Sequence, residues 1–156
     1  MNSLLNLINE KKVYLNDYEA LSYQLLNVDI ESVNEILDQR ETIIKLINKV
    51  DHRINEFIDL SEFKKQLKEC KDKKINPDEI HPYLYDICEG FKSIQKILIN
   101  IQQLENRIIE RLEMLKSELY SHLVQVENVS KIKKYFETYE TEMQDMNQMI
   151  LKSTKI

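Results

Sequence analysis

An all-α fold is predicted by three observations. One glycine and two prolines in 156 residues leave almost none of the turn chemistry that hairpins need. Apolar residues make up 42% and charged residues 31%, the balance of a globular chain with one sizeable core. The third observation is a run at steps of three and four: Leu84, Ile87, Phe91, Ile94, Leu98, Ile101, Glu105, Ile108, Leu112, Leu115, Leu119, His122, Val126 and Val129. Only Glu105 and His122 in it are polar. Its period, about 3.5 residues, is that of a seam in a coiled coil or bundle. The expected architecture is an antiparallel bundle of three main helices, the third very long, with a C-terminal amphipathic tail and coiled-coil-like packing. It forms a single domain over residues 1–156.

The first helix should run from Asn2 to Leu26, with Leu4, Leu5, Ile8, Leu15, Tyr18 and Leu25 on its apolar stripe. Lys11 and Lys12 interrupt that stripe, and their aliphatic stems would cover the gap. Asn27-Val28-Asp29 reads as a tight link: Asn27 suits a left-handed C-cap and Asp29 an N-cap. A link this short makes the first two helices antiparallel neighbours. The second helix starts at Ile30, with Ile30, Val33, Ile36, Leu37, Ile43, Ile44, Ile47, Val50, Ile54, Phe57 and Ile58 on its apolar face. Asp59 and Glu62 offer a fresh capping box. No glycine or proline intervenes, however, so the helix is expected to continue through Leu60, Phe63 and Leu67 to Cys70, with a bend allowed. Asn76-Pro77-Asp78-Glu79 and His81-Pro82 are two successive helix-start signatures. The long helix therefore begins near Pro82 and would span roughly 70 Å. Its phase slips near Asn128, and a new stripe follows: Ile132, Tyr135, Phe136, Tyr139, Met143, Met146, Met149 and Ile150. Residues 131–156 form the expected amphipathic tail, either docked on the bundle or free of it.

Length sets a constraint on these helices. The first two would cover only about 38 Å and about 44 Å of the third. Beyond that, the seam residues Leu112, Leu115, Leu119, Leu123, Val126 and Val129 need a partner. Each is worth roughly 1.5–3 kcal/mol when fully buried. Three coverings are possible: the tail folded back, a second copy of the chain, or a partner's helix. The partner-binding set expected on this ground is those six residues with Ile132, Tyr135, Phe136, Tyr139, Met143 and Met146 of the tail. Methionines suit an adaptable contact, and aromatics suit a docking surface.

Other functions are disfavoured by what the chain lacks. A net charge of −5 argues against nucleic acid as a partner. No run of 18 apolar residues exists to insert in a membrane, and no signal peptide is read at the N-terminus, which places the protein in the cytoplasm. A single glycine excludes phosphate-binding loops. His52, His81 and His122 complete no metal-ligand pattern, so no metal, cofactor or catalytic residue is expected and the chain is read as no enzyme. Cys70 and Cys88 flank a turn, where a disulfide is conceivable, but buried free thiols are the expectation in a reducing cytoplasm. Glu105 in an apolar seam reads as a device that sets register, with Arg40 of the second helix as its partner.

The segment from Tyr18 to Ile54, YEALSYQLLNVDIESVNEILDQRETIIKLINKVDHRI, resembles the first helical hairpin of the flagellar type III export chaperones of the FlgN and FliT type. The likeness rests on the short link capped by Asp29, the apolar Ile30 and Leu37, and the central Arg40-Glu41. Asn106 in the long helix and Lys131-Ile132-Lys133-Lys134-Tyr135 extend it over some of the remaining chain. The resemblance implies a cytoplasmic chaperone that binds the C-terminal helical segment of a hook-associated or filament-cap protein before export. It further implies that the C-terminal helix docks at the export gate or its ATPase, with Tyr135, or alternatively Tyr139, as the contact. The competing expectation is a self-associating coiled-coil protein, a homodimer with no chaperone role.

Overall fold

The computed structural model describes residues 1–122 and 129–154. The described residues form five α-helices, two short 3-10 turns and no strand, so the all-α fold class holds. The helices are α1 (Asn2–Leu25), α2 (Ile30–Leu60), α3 (Lys64–Lys71), α4 (Tyr85–His122) and α5 (Val129–Thr154). The 3-10 turns, Pro77–Glu79 and Pro82–Leu84, lie between α3 and α4.

Four of these helices make the bundle. α1 packs along α2 and α4, and α5 packs along α2 and α4 on the other side. Shared contacts give the directions. Ile8 meets Gly90 and Tyr18 reaches Glu105, so α1 and α4 run parallel. Ile30 and Val33 share a small apolar cavity with Tyr135 and Phe136, while Arg40 meets Glu142, so α2 and α5 run parallel in the opposite sense. α2 and α4 thus face each other across the centre, and the segment from Ser61 to Leu84 carries the chain over that diagonal.

α2 does not continue to Cys70 as its composition suggested. At Ser61 the backbone turns extended (ψ 143°), and the Ser61 hydroxyl accepts a hydrogen bond from the Phe63 amide at 3.1 Å. Breaking there lets the separate α3 swing Leu67 and Cys70 under the start of α4, where both are buried. Asp59 forms no capping box. Instead it pairs with Lys64 and Lys68 at 3.0 Å each, which holds its carboxyl below the usual range. The end of α3 is a Schellman turn in which Lys74 donates to the Glu69 carbonyl (2.8 Å) and Lys73 to that of Cys70 (3.3 Å). Lys73 there takes the left-handed conformation (φ 61°), the only non-glycine to do so among the described residues. Asn27 does not adopt it; α1 closes with ordinary i→i−3 bonds from Leu26 and Asn27.

Asn76 and His81 act as the predicted caps, accepting from the amides of Asp78 (3.4 Å) and Tyr83 (3.2 Å). Each opens a 3-10 turn, and the long helix itself starts at Tyr85. The expectation of free thiols is overturned: Cys70 and Cys88 form a disulfide between α3 and α4, with Cα atoms 5.1 Å apart. Both residues sit in the apolar cluster with Leu67, Leu84 and Phe91, so folding itself brings the two sulfurs together.

Candidate functional site

The C-terminal helix and its seat are the candidate site. α5 lies in the channel between α2 and α4 and turns Ile132, Tyr139, Glu142, Met146, Met149 and Ile150 inward. Among the expected partner-binding residues, Leu112, Leu115, Ile132, Tyr139 and Met146 are buried within the chain's own bundle, while Leu119, Tyr135, Phe136 and Met143 are half-buried. Leu123 and Val126 lie outside the described residues, as does the side chain of Val129. Of the three coverings the seam needed, the structure uses the folded-back tail. Leu112 and Leu115 line a small apolar cavity with Ile30, Val33, Leu37, Tyr135 and Phe136, and the Lys116 ammonium sits 4.9 Å above the Phe136 ring.

The centre of this seat is polar. Arg40, fully buried at 0% exposure, projects from the middle of α2. Its Nη2 donates to Glu105 of α4 and to the Tyr18 hydroxyl of α1, and its guanidinium carbon lies 4.4 Å from the Tyr18 ring centre. From α5, the Tyr139 hydroxyl donates to the Glu105 carboxylate at 3.3 Å. Glu142, only 1% exposed, brings Oε2 to 3.2 Å from Arg40 Nε. Every long helix therefore contributes at least one group. Arg40 answering Glu105 is the pairing the sequence pointed to.

Charge does not balance here. Two carboxylates face one guanidinium, and isolating a net charge from water is costly. Glu105 is well supplied with donors: Arg40, Tyr18 and Tyr139. Neither oxygen of Glu142 accepts a hydrogen bond, because its approach to Arg40 is close but poorly aligned, and Arg40 Nη1 donates to nothing. Burial pushes the Glu142 carboxyl up to about 8 against the pull of Arg40, and Glu105, Glu41 and Asp38 add to the rise. Burial also raises Glu105, opposed by Arg40 and the two phenols. The phenols of Tyr18 and Tyr139 are raised by the same desolvation and stay neutral. Glu105 has the guanidinium and two phenols to favour its charged form, whereas Glu142 has only the poorly aligned Arg40 against its burial.

Sequence reasoning missed Glu142 and the role of Tyr18. A signal for Glu142 existed: Tyr139, Glu142, Met146 and Met149 keep the step of three, four and three. Met143 beside it fitted an apolar stripe and drew the reading away.

A second polar feature is a cleft of about 480 Å³ between α1, α2, α3 and α5, lined by Lys11, Asp51, Asn55, Lys71, Asp145 and Lys152 among others. Lys11, read as a gap in the α1 stripe, is buried with its ammonium 2.6 Å from Asp51. Lys71 binds the Asn55 side-chain oxygen at 2.6 Å, and burial lowers its ammonium pKa. Among the described residues no group of three or more His, Cys, Asp or Glu side chains is placed to hold a metal ion, and no helix is long and apolar enough to cross a membrane.

No protein-family model, curated protein or solved structure matches this chain. What it does has to be read from its own geometry and from the hairpin resemblance.

Proposed function

We propose that the protein is a chaperone for the amphipathic C-terminal helix of an exported flagellar protein, of the hook-associated or filament-cap class. The observation that carries the reading is that the α1–α2–α4 frame offers a seat for one amphipathic helix, occupied by α5, whose lining includes the seam residues Leu112 and Leu115. A partner helix with the same apolar spacing fits that seat by the same ridges and grooves. The half-buried Tyr135 and Phe136 mark the end of α5 where its displacement would begin. Tyr135 is the proposed contact for the export gate or its ATPase. No catalytic role, cofactor, nucleic acid or membrane insertion belongs to this function.

The test is fluorescence anisotropy with synthetic C-terminal helices from hook-associated and filament-cap proteins, titrated with the full-length chain. Binding in the micromolar range, tightened by Phe136→Asp, which loosens α5 from the seat, and weakened at least about tenfold by Leu115→Asp, which spoils the seat itself, is the expected result. If no such helix binds, the chaperone reading is wrong.

A second reading is favoured by the three methionines on α5 at Met143, Met146 and Met149, which suit an exchangeable contact. Two copies would trade α5 and form a homodimer. Light scattering decides this: a monomer at micromolar concentration excludes it.

A further inference from the structure

Three features of the seat of α5 belong together. Among the described α5 side chains, Glu142 reaches the Arg40 guanidinium, at 3.2 Å from Nε. Its two oxygens are buried and accept no hydrogen bond. Glu105, from α4, already occupies Nη2 of the same guanidinium and has two phenols donating to it as well. With Glu105 already paired to the one guanidinium, a second negative charge would leave the buried cluster with a net charge, which burial penalises, so a neutral Glu142 suits the docked helix. Once α5 leaves, the carboxyl is in water and needs nothing.

We infer that Glu142 is a proton-binding site that couples the docking of α5 to pH: α5 seats on α2 and α4 with one proton aboard and loses its hold as that proton leaves. The groups that face Glu142 are Arg40, Glu41 and Asp38 of α2 and Glu105 of α4, with Tyr18 of α1 and Tyr139 of α5 completing the cluster. All of the carboxylates among them push in the same direction, and only Arg40 opposes.

The sign follows from linkage. Released, Glu142 titrates at the ordinary 4.5; docked, it titrates at about 8. Between those values the docked form holds a proton that the released form has lost, so each pH unit lowers the docking equilibrium by about tenfold. Below the window docking is at full strength, and above it the loss is complete. This coupling does not depend on what helix α5 competes with, so it stands or falls apart from the chaperone reading.

The experiment is hydrogen exchange read by mass spectrometry on the full chain, from about pH 5 to about pH 9, corrected for intrinsic exchange. Amides of α5 should be less protected than those of α1 and α4 around Leu15 and Leu98, and their protection should fall by up to about tenfold per unit across the window. In Glu142→Gln the slope should vanish, with α5 at pH 8 at least as protected as in the wild type. Three results overturn the proposal: α5 protection that is flat with pH, α5 exchange that never separates from that of α1 and α4, or a slope that survives in Glu142→Gln but disappears in Glu105→Gln.

Discussion

Around the first turns of α4 the core is mainly apolar, with the Lys11–Asp51 pair and Gln95 at its margin. Ile8 of α1, Ile54 and Ile58 of α2, Leu67 of α3 and Ile87, Phe91 and Ile94 of α4 pack together, and a disulfide closes that end. Around Glu105, further along the same helix, the four long helices converge on an arginine, two carboxylates and two phenols. The apolar end is non-directional: any side chains of suitable volume hold it together. The polar centre is directional and admits one rotation and one register for each helix. α5 is the clearest case, because it meets α2 along a stripe that Met143 could serve as well as Glu142 by spacing alone. Glu142 is the one that turns inward, to within 3.2 Å of Arg40, while Met143 stays half-buried. We take this as the specific role of the cluster: it sets which faces meet, while the apolar end supplies most of the stability.

The largest test of that contrast is Arg40→Met. It strands Glu105 without its cation, and unpairing a buried charge costs about 3–5 kcal/mol. Urea unfolding at neutral pH should show that loss. At pH 5 the loss should shrink, since burial raises both carboxyls and the variant lacks the guanidinium that opposes the rise. Replacing the whole cluster at once, with Arg40→Met, Glu105→Leu, Glu142→Leu, Tyr18→Phe and Tyr139→Phe, should restore stability to near the wild-type value. If the five-fold variant is stable but its α5 amides lose protection relative to α4, the cluster sets position. If it is stable and α5 stays fixed, apolar packing sets position too and the contrast collapses.

At the apolar end, removing the disulfide should have the next largest effect. The bond closes a loop with a sequence separation of 18 residues, which in the chain-entropy account is worth about 3 kcal/mol. Cys70→Ala with Cys88→Ala should lower the urea midpoint accordingly, and added reductant should have no further effect on that variant. The loss should be the same at pH 5 and at pH 8, unlike that of Arg40→Met. A disulfide loss that varied with pH would mean that the two ends are not independent.

How much of this was legible depended on what each residue interrupted. Glu105 broke a long apolar run, so its burial and its need for Arg40 could be read directly. The caps at Asn76 and His81 were legible because proline follows each of them. Glu142 interrupted nothing, since Met143 next to it completed the stripe equally well. The end of α2 was hidden for another reason: Ser61-Glu62 breaks no propensity rule, and the turn exists because Leu67 and Cys70 gain burial only if the chain leaves the α2 axis. The disulfide needed that turn to be known first. The folded-back course of α5 was hidden in a similar way, because a seam shows that it needs covering but not which of several amphipathic faces covers it.

The smallest expected effect sharpens the contrast at the apolar end, where shape rather than charge must act. Gly90 is the chain's only glycine, and it lies inside α4, where alanine would be favoured by about 1 kcal/mol on propensity. A Cβ added there would come within 2.7 Å of Ile8 Cγ2, a branched methyl set close to the α1 backbone with little room to rotate away. Overpacking of this kind costs about 1–3 kcal/mol, so Gly90→Ala should destabilise by about 1 kcal/mol net. In an Ile8→Ala background the clash is gone and the propensity gain alone remains, so the same substitution should stabilise by about 1 kcal/mol. A double-mutant cycle in urea measures this reversal as a coupling of about 2 kcal/mol. A reversal would make the α1–α4 contact at Gly90 as particular about shape as the Arg40 centre is about charge. Without one, the apolar end tolerates whatever volume it is given, and register rests on the polar cluster alone.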